Sequence, residues 1–215
     1  MSDLNTEQPG TTGPSAPDAP PLSIWRDMWL KPRAVLRQEI GRPPRLSQWL
    51  PAILAGIAAV LETFALAQSG TLPTTVPTMP ATGLQGLLTM ALLLGPLSGL
   101  LHVFIMAFLL RQLGRWFGGT VTPSAMRRGI SLALVPMAYS LLLVVLEMLW
   151  REPGVDSLLI RISTGIRTVL NVWFLLLLVM TVSELQQLPL RRAILTVGSA
   201  LLLLLSLFLL LRGPL

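Results

Sequence analysis

The chain has 215 residues, 53% of them hydrophobic and 12% charged, with a mean hydropathy of +0.69, which excludes an ordinary soluble domain. It carries no cysteine, which excludes disulfides, thiolate metal centres and palmitoylation, and its single histidine, His102, argues against an all-protein zinc site. The net charge of +6 comes from basic residues beside apolar runs, which points to anionic lipid headgroups and away from nucleic acid.

Residues 1–22 are rich in Pro, Gly, Ser and Thr and predict a disordered cytoplasmic tail, since they hold too little apolar surface to offset ordering entropy. They lack the charged start and apolar core of a signal peptide. Residues 23–48 form a distinct segment. Trp25, Met28 and Trp29 share one helical face, Pro32 suits a helix start, and Val35, Leu36 and Ile40 make a second apolar stripe backed by arginines. The pattern predicts two short amphipathic helices flat on the inner membrane surface, with Trp25 and Trp29 at headgroup depth and Lys31 and Arg33 toward phosphates. Membrane anchoring alone would account for them; curvature sensing or partner docking is the sharper alternative.

Residues 49–215 then read as a domain of five transmembrane helices, with spans at about 49–68, 84–110, 129–150, 158–183 and 193–211, because roughly 20 apolar residues cover a hydrocarbon core of about 30 Å. The first span carries a seam of Ala52, Ala55, Gly56 and Ala59 that leads to Glu62. The second carries Ala91, Gly95 and Gly99 at four-residue spacing, with Pro96 and Ser98 beside them, which lets another helix backbone approach closely. His102 follows Gly99 on nearly the same face, either as an interhelical hydrogen-bonder or as a proton relay.

The connection after the second span reads Trp116-Phe117-Gly118-Gly119, and Arg127 and Arg128 follow in the next helix, with Thr122 or Ser124 placed to cap it. The third span places Glu147 toward its far end. The fourth spaces Ser157, Arg161, Thr164, Thr168 and Asn171 along one face, with Arg167 adjoining. Glu184, which closes that span, pairs most simply with Arg191 and Arg192. The fifth span is leucine-rich, and its uniform faces could meet either a second copy of the chain or lipid.

Orientation follows from the basic residues. Arg26, Lys31, Arg33, Arg37, Arg42, Arg45, Arg111, Arg115, Arg127, Arg128, Arg191 and Arg192 all fall on one side of this topology. The N-terminus is therefore expected in the cytoplasm and the C-terminus outside. Glu62, Glu147, Arg161 and Arg167 then lie at comparable depth in the outer leaflet. Three readings of that polar cluster stand open. Arg161 and Arg167 neutralise the glutamates and fix helix register, with Asn171 bonding a neighbour; or the cluster lines a wet vestibule in which Glu62 takes a proton, a cation or a polar headgroup; or the arginines snorkel to the interface.

The order of parts resembles the Yip family, the Ypt/Rab-interacting multispan membrane proteins, and above all its compact bacterial branch. The residues that carry the resemblance are Trp29-Leu30-Lys31-Pro32-Arg33, Gly95-Pro96, Trp116-Phe117-Gly118-Gly119, Arg127-Arg128, Pro136 early in the third span and Glu184. The resemblance implies five helices and a cytoplasmic N-terminus. In the eukaryotic branch it implies binding to prenylated small GTPases and membrane shaping, and in the bacterial branch a protein of the cytoplasmic (inner) membrane; it implies no catalytic residues.

The expectation is therefore an all-α, non-enzymatic membrane organiser or adaptor without cofactor or metal. It engages anionic lipids and an unidentified membrane or cytoplasmic protein, and homo-oligomerisation is open. The alternative is a small transporter, channel or lipid-translocating protein that uses the Glu/Arg cluster.

Overall fold

The computed structural model describes residues 22–68, 84–149 and 158–212, leaving out the side chains of 65–68, 84, 159, 160 and 212. The predicted tail therefore lies outside the described residues except for Leu22. Ser157, the first residue of the expected polar face, lies outside them as well.

The described residues form eight α-helices and no strand: α1 (Ile24–Leu30), α2 (Pro32–Gly41), α3 (Leu50–Gln68), α4 (Leu84–Trp116), α5 (Pro123–Ala133), α6 (Val135–Leu149), α7 (Leu158–Gln186) and α8 (Leu190–Arg212). A single 3-10 turn, Leu46–Gln48, leads into α3. Four helical stretches are long and apolar enough to cross a membrane: α4, α5 with α6, α7, and α8. The chain is a multi-pass membrane protein. The 19-residue α3 contributes a shorter apolar stretch, Leu50–Phe64.

Two helices outrun the apolar runs that announce them. α4 continues past Leu110 to Trp116 because Arg111, Gln112, Leu113 and Arg115 favour a helix strongly enough to carry it through Gly114, and the chain turns only at Gly118. Its 33 residues rise about 50 Å, more than a hydrocarbon core of about 30 Å. α7 likewise runs to Gln186, where Gln187 turns to φ 55° and Pro189 follows. Hydropathy marks the stretch that lipid can cover and is blind to a helix that continues in polar residues.

The expected third span is divided. α5 starts at Pro123, with the Thr122 hydroxyl accepting from the Ala125 amide at 3.3 Å as its N-cap. It gives way to α6 at Leu134 because Pro136 has no N–H to offer the Leu132 carbonyl and its ring crowds that oxygen. Leu134 instead donates to both Ile130 and Ser131 at 3.2 Å.

The long helices close a ring in which α3 packs on α4 and α6, α6 on α7, α7 on α8, and α8 on α4. The α3–α4 contact is the two small-residue seams meeting. A methyl on Gly56 would overlap the Gly95 carbonyl, one on Gly95 would meet the Ile57 backbone, and one on Gly99 would overlap the Ala52 carbonyl. Ala52 and Ala91 are buried in this contact, whereas Ala59 is exposed. The main core lies between α4, α5, α7 and α8, around Leu110, Met126, Ile130, Leu178, Val182 and Val197.

Candidate functional site

Arg167 of α7 joins three helices. Its Nη1 donates to Glu62 Oε1 of α3 at 3.0 Å, and its Nη2 donates to Glu147 Oε1 and Oε2 of α6 at 2.7 and 2.9 Å. The Arg167 side chain is 15% exposed, Glu147 21% and Glu62 44%. One guanidinium between two carboxylates satisfies its donors in the planar fork that suits arginine. The arrangement ties α3, α6 and α7 together far from the arginine-rich end.

The other members of the predicted cluster do not join it. Arg161 is exposed and has no ion pair among the described residues. Asn171 is exposed as well and donates back to the Arg167 carbonyl of its own helix at 2.9 Å. His102 is exposed and off the packing seam. The four-residue repeat from Ala91 through Gly95 and Gly99 continues to Val103, which is fully buried, and leaves the neighbouring position turned outward.

At the arginine-rich end, two connections interlock. α4 closes in a Schellman motif, with Gly119 donating to Gly114 at 2.8 Å and Gly118 to Arg115 at 3.0 Å. Gly118 sits at φ 90°, open to glycine at no steric cost. The Gln186 side chain, buried at the end of α7, donates to the Leu110 carbonyl at 2.9 Å. It also lies so close to Gly114 and Gly119 that a methyl on either would overlap it. Trp116, beside this lock, is 81% exposed. Arg127 stacks over Phe104 at 4.8 Å, and Arg128 donates to the Arg42 carbonyl at 2.9 Å.

The N-terminal helices differ from the expectation of a segment lying flat on lipid. Met28, Val35 and Leu36 are fully buried against Leu132, Ala133, Val135 and Leu177. Trp29 stacks on Trp173 at 6.1 Å, and both Trp25 and Trp29 meet Tyr139 edge-on. The apolar face that an amphipathic pattern reveals can thus be covered by protein, and the pattern does not tell protein from bilayer. Lys31 and Arg33 remain exposed.

Polar contacts fix the docking. Gln48 is fully buried and donates to the Glu39 carbonyl and Oε2 at 2.9 and 3.1 Å, while its own carbonyl accepts from the Ser131 hydroxyl at 2.7 Å. Arg42 neutralises Glu39 at 2.7 Å. Glu184 takes Arg37 of α2 and leaves Arg191 and Arg192 aside, which corrects the expected pairing. The hydrogen bond to Glu184, reinforced by its charge, raises the Arg37 pKa above its ordinary value.

Sequence reasoning missed Gln186, Gln48 and the Arg37–Glu184 contact. Gly114 and Gly119, five residues apart around a positive-φ glycine, are the signal that could have foretold a tightly closed helix end. Nothing local marks Gln48.

No curated protein and no solved structure matches the chain. The Yip1 domain family matches residues 26–211, which takes in both the interlocked connections and the Arg167 bridge. The chain belongs to the Yip family.

Proposed function

We propose that the chain is a non-enzymatic membrane organiser or adaptor. It crosses the bilayer five times with its N-terminus in the cytoplasm, in a bacterial cytoplasmic membrane, and engages anionic lipids and a protein partner through its arginine-rich end. α3 brings the four spans to five as the first in chain order, since its 19 residues rise about 28 Å and come close to a hydrocarbon core of about 30 Å.

The observation that carries the proposal is the Arg167 bridge. Glu62 is the carboxylate a translocator would need free to load and unload, and here it is held by the same guanidinium that holds Glu147. A carboxylate within a span is costly unless paired, and this one is paired across helices, which suits a part that fixes register. The small-residue seam of α3 and α4 serves the same end by bringing two backbones into direct contact.

The test is reconstitution of wild type and Glu62→Gln in sealed vesicles. An organiser carries neither protons, monovalent cations nor labelled phospholipid above the rate of protein-free vesicles, in either form. Flux in wild type that Glu62→Gln abolishes would overturn the proposal.

A further inference from the structure

We infer that the corner between the end of α4 and the start of α8 is a binding site for a phospholipid with an anionic headgroup; the inference rests on the proposal above that the arginine-rich end engages the bilayer. Arg192 Nη1 donates to the Phe117 carbonyl at 3.3 Å and draws the first turn of α8 against the end of α4. Arg115 and Arg191 stand exposed at the same corner, beside Trp116.

These guanidiniums have no carboxylate to answer them among the described residues. Asp27 is taken by Arg26, Glu39 by Arg42, Glu62 and Glu147 by Arg167, and Glu184 by Arg37. Behind the corner, Gln186 fills the space against Gly114 and Gly119 and ties the end of α7 to α4. Three cations are therefore presented at this corner without a counter-ion among the described residues.

Lipid is the occupant that fits the surroundings. Trp116 exposes an amphipathic indole next to the cations, as aromatic side chains do at headgroup level. The exposed apolar faces of α4 and α8 run away from the corner. Phe108 lies two turns back from Arg115 on its face of α4, and Leu195 one turn on from Arg191. A phosphate would meet the arginines while acyl chains follow those faces. A soluble anion or an acidic protein would leave the indole and the leucines unused.

The experiment uses the full chain in phosphatidylcholine vesicles doped with brominated phosphatidylglycerol or, at equal mole fraction, brominated phosphatidylcholine. The readout is the quenching lost when Trp116→Phe is compared with wild type, which isolates this indole. Quenching by the anionic lipid should exceed that by the neutral one by at least about fivefold, the order that a single one of the three basic residues contributes near an anionic surface. The preference should vanish in Arg115→Gln/Arg191→Gln/Arg192→Gln and survive both Lys31→Gln/Arg33→Gln/Arg45→Gln and added inorganic phosphate. Equal quenching by the two lipids, equal loss in both triple variants, or competition by phosphate would each overturn the site, and the first comparison needs no variant beyond Trp116→Phe. Failure here leaves the flux test of Glu62 untouched, so the two ideas fall separately.

Discussion

α7 shows within one helix how differently the two ends of the bundle are built. Along one face, Val182 and Leu178 are fully buried between α4, α5 and α8. Continued at helical spacing, the same face carries Leu175, Asn171, Thr168 and Thr164, all exposed. α8 behaves alike: Ala193, Val197 and Ala200 are buried, and most of its later positions are exposed. The ring is closed and interlocked at the arginine-rich end. At the opposite end, ionic contacts through Arg167 tie α3, α6 and α7, and most of the described α8 side chains are exposed. Interlocked helix ends, with ion pairs of α2 around them, hold one end, and the Arg167 bridge holds the other, so they should fail under different substitutions.

The most severe break should come from the seam of α3 and α4. Gly99→Ala drives a methyl into the Ala52 carbonyl, and backbone cannot rotate aside, so a loss of about 3 kcal/mol in unfolding free energy is expected. Chemical denaturation in detergent measures it.

Arg167→Ala probes the other end and should cost about 2 kcal/mol, less than the loss of a fully buried pair, because Glu62 is 44% exposed. A double-mutant cycle with Glu62→Gln should give a coupling above about 1 kcal/mol, and additive losses would mean the bridge does not hold the helices.

Gly114→Ala tests the lock and should cost about 1.5 kcal/mol, since Gln186 must give up the Leu110 carbonyl to make room. The same substitution in a Gln186→Ala background should be nearly neutral. If it remains as costly there, the strain lies elsewhere.

The smallest effect concerns the docking of α1. The Ser23 amide, aided by Arg26, lowers the Asp27 pKa below its ordinary 3.8. The carboxylate therefore stabilises the fold above that ordinary value, and the contribution disappears as pH falls through the lower folded value. Asp27→Asn should be slightly less stable than wild type at neutral pH and converge with it in strong acid, as followed by melting temperature across pH.

What the sequence revealed and what it hid follow from the range of each interaction. Apolar runs located the long helices because burial in lipid is a local requirement of each span. The meeting of Glu62, Glu147 and Arg167 was legible because unpaired charge at comparable depth is costly and few partners existed. Arg161 and Asn171 share the polar pattern of α7, yet both side chains are exposed among the described residues, and the pattern cannot report whether a neighbour covers them. The same blindness explains Trp25 and Trp29, whose face is covered by Tyr139 and Trp173. Gln48, Glu39 and Ser131 come from separate segments, so their network exists only once α2 and α5 are docked.

Hydrogen–deuterium exchange of the purified chain in detergent tests the two-ended construction most directly, because protection tracks local opening. Amides of α5 around Ile130, of α7 around Val182 and of α8 around Val197 should exchange much more slowly than those of α7 from Thr164 to Asn171, and Gly114→Ala should speed the first group alone. Uniform protection along α7, or a faster arginine-rich end, would contradict the account.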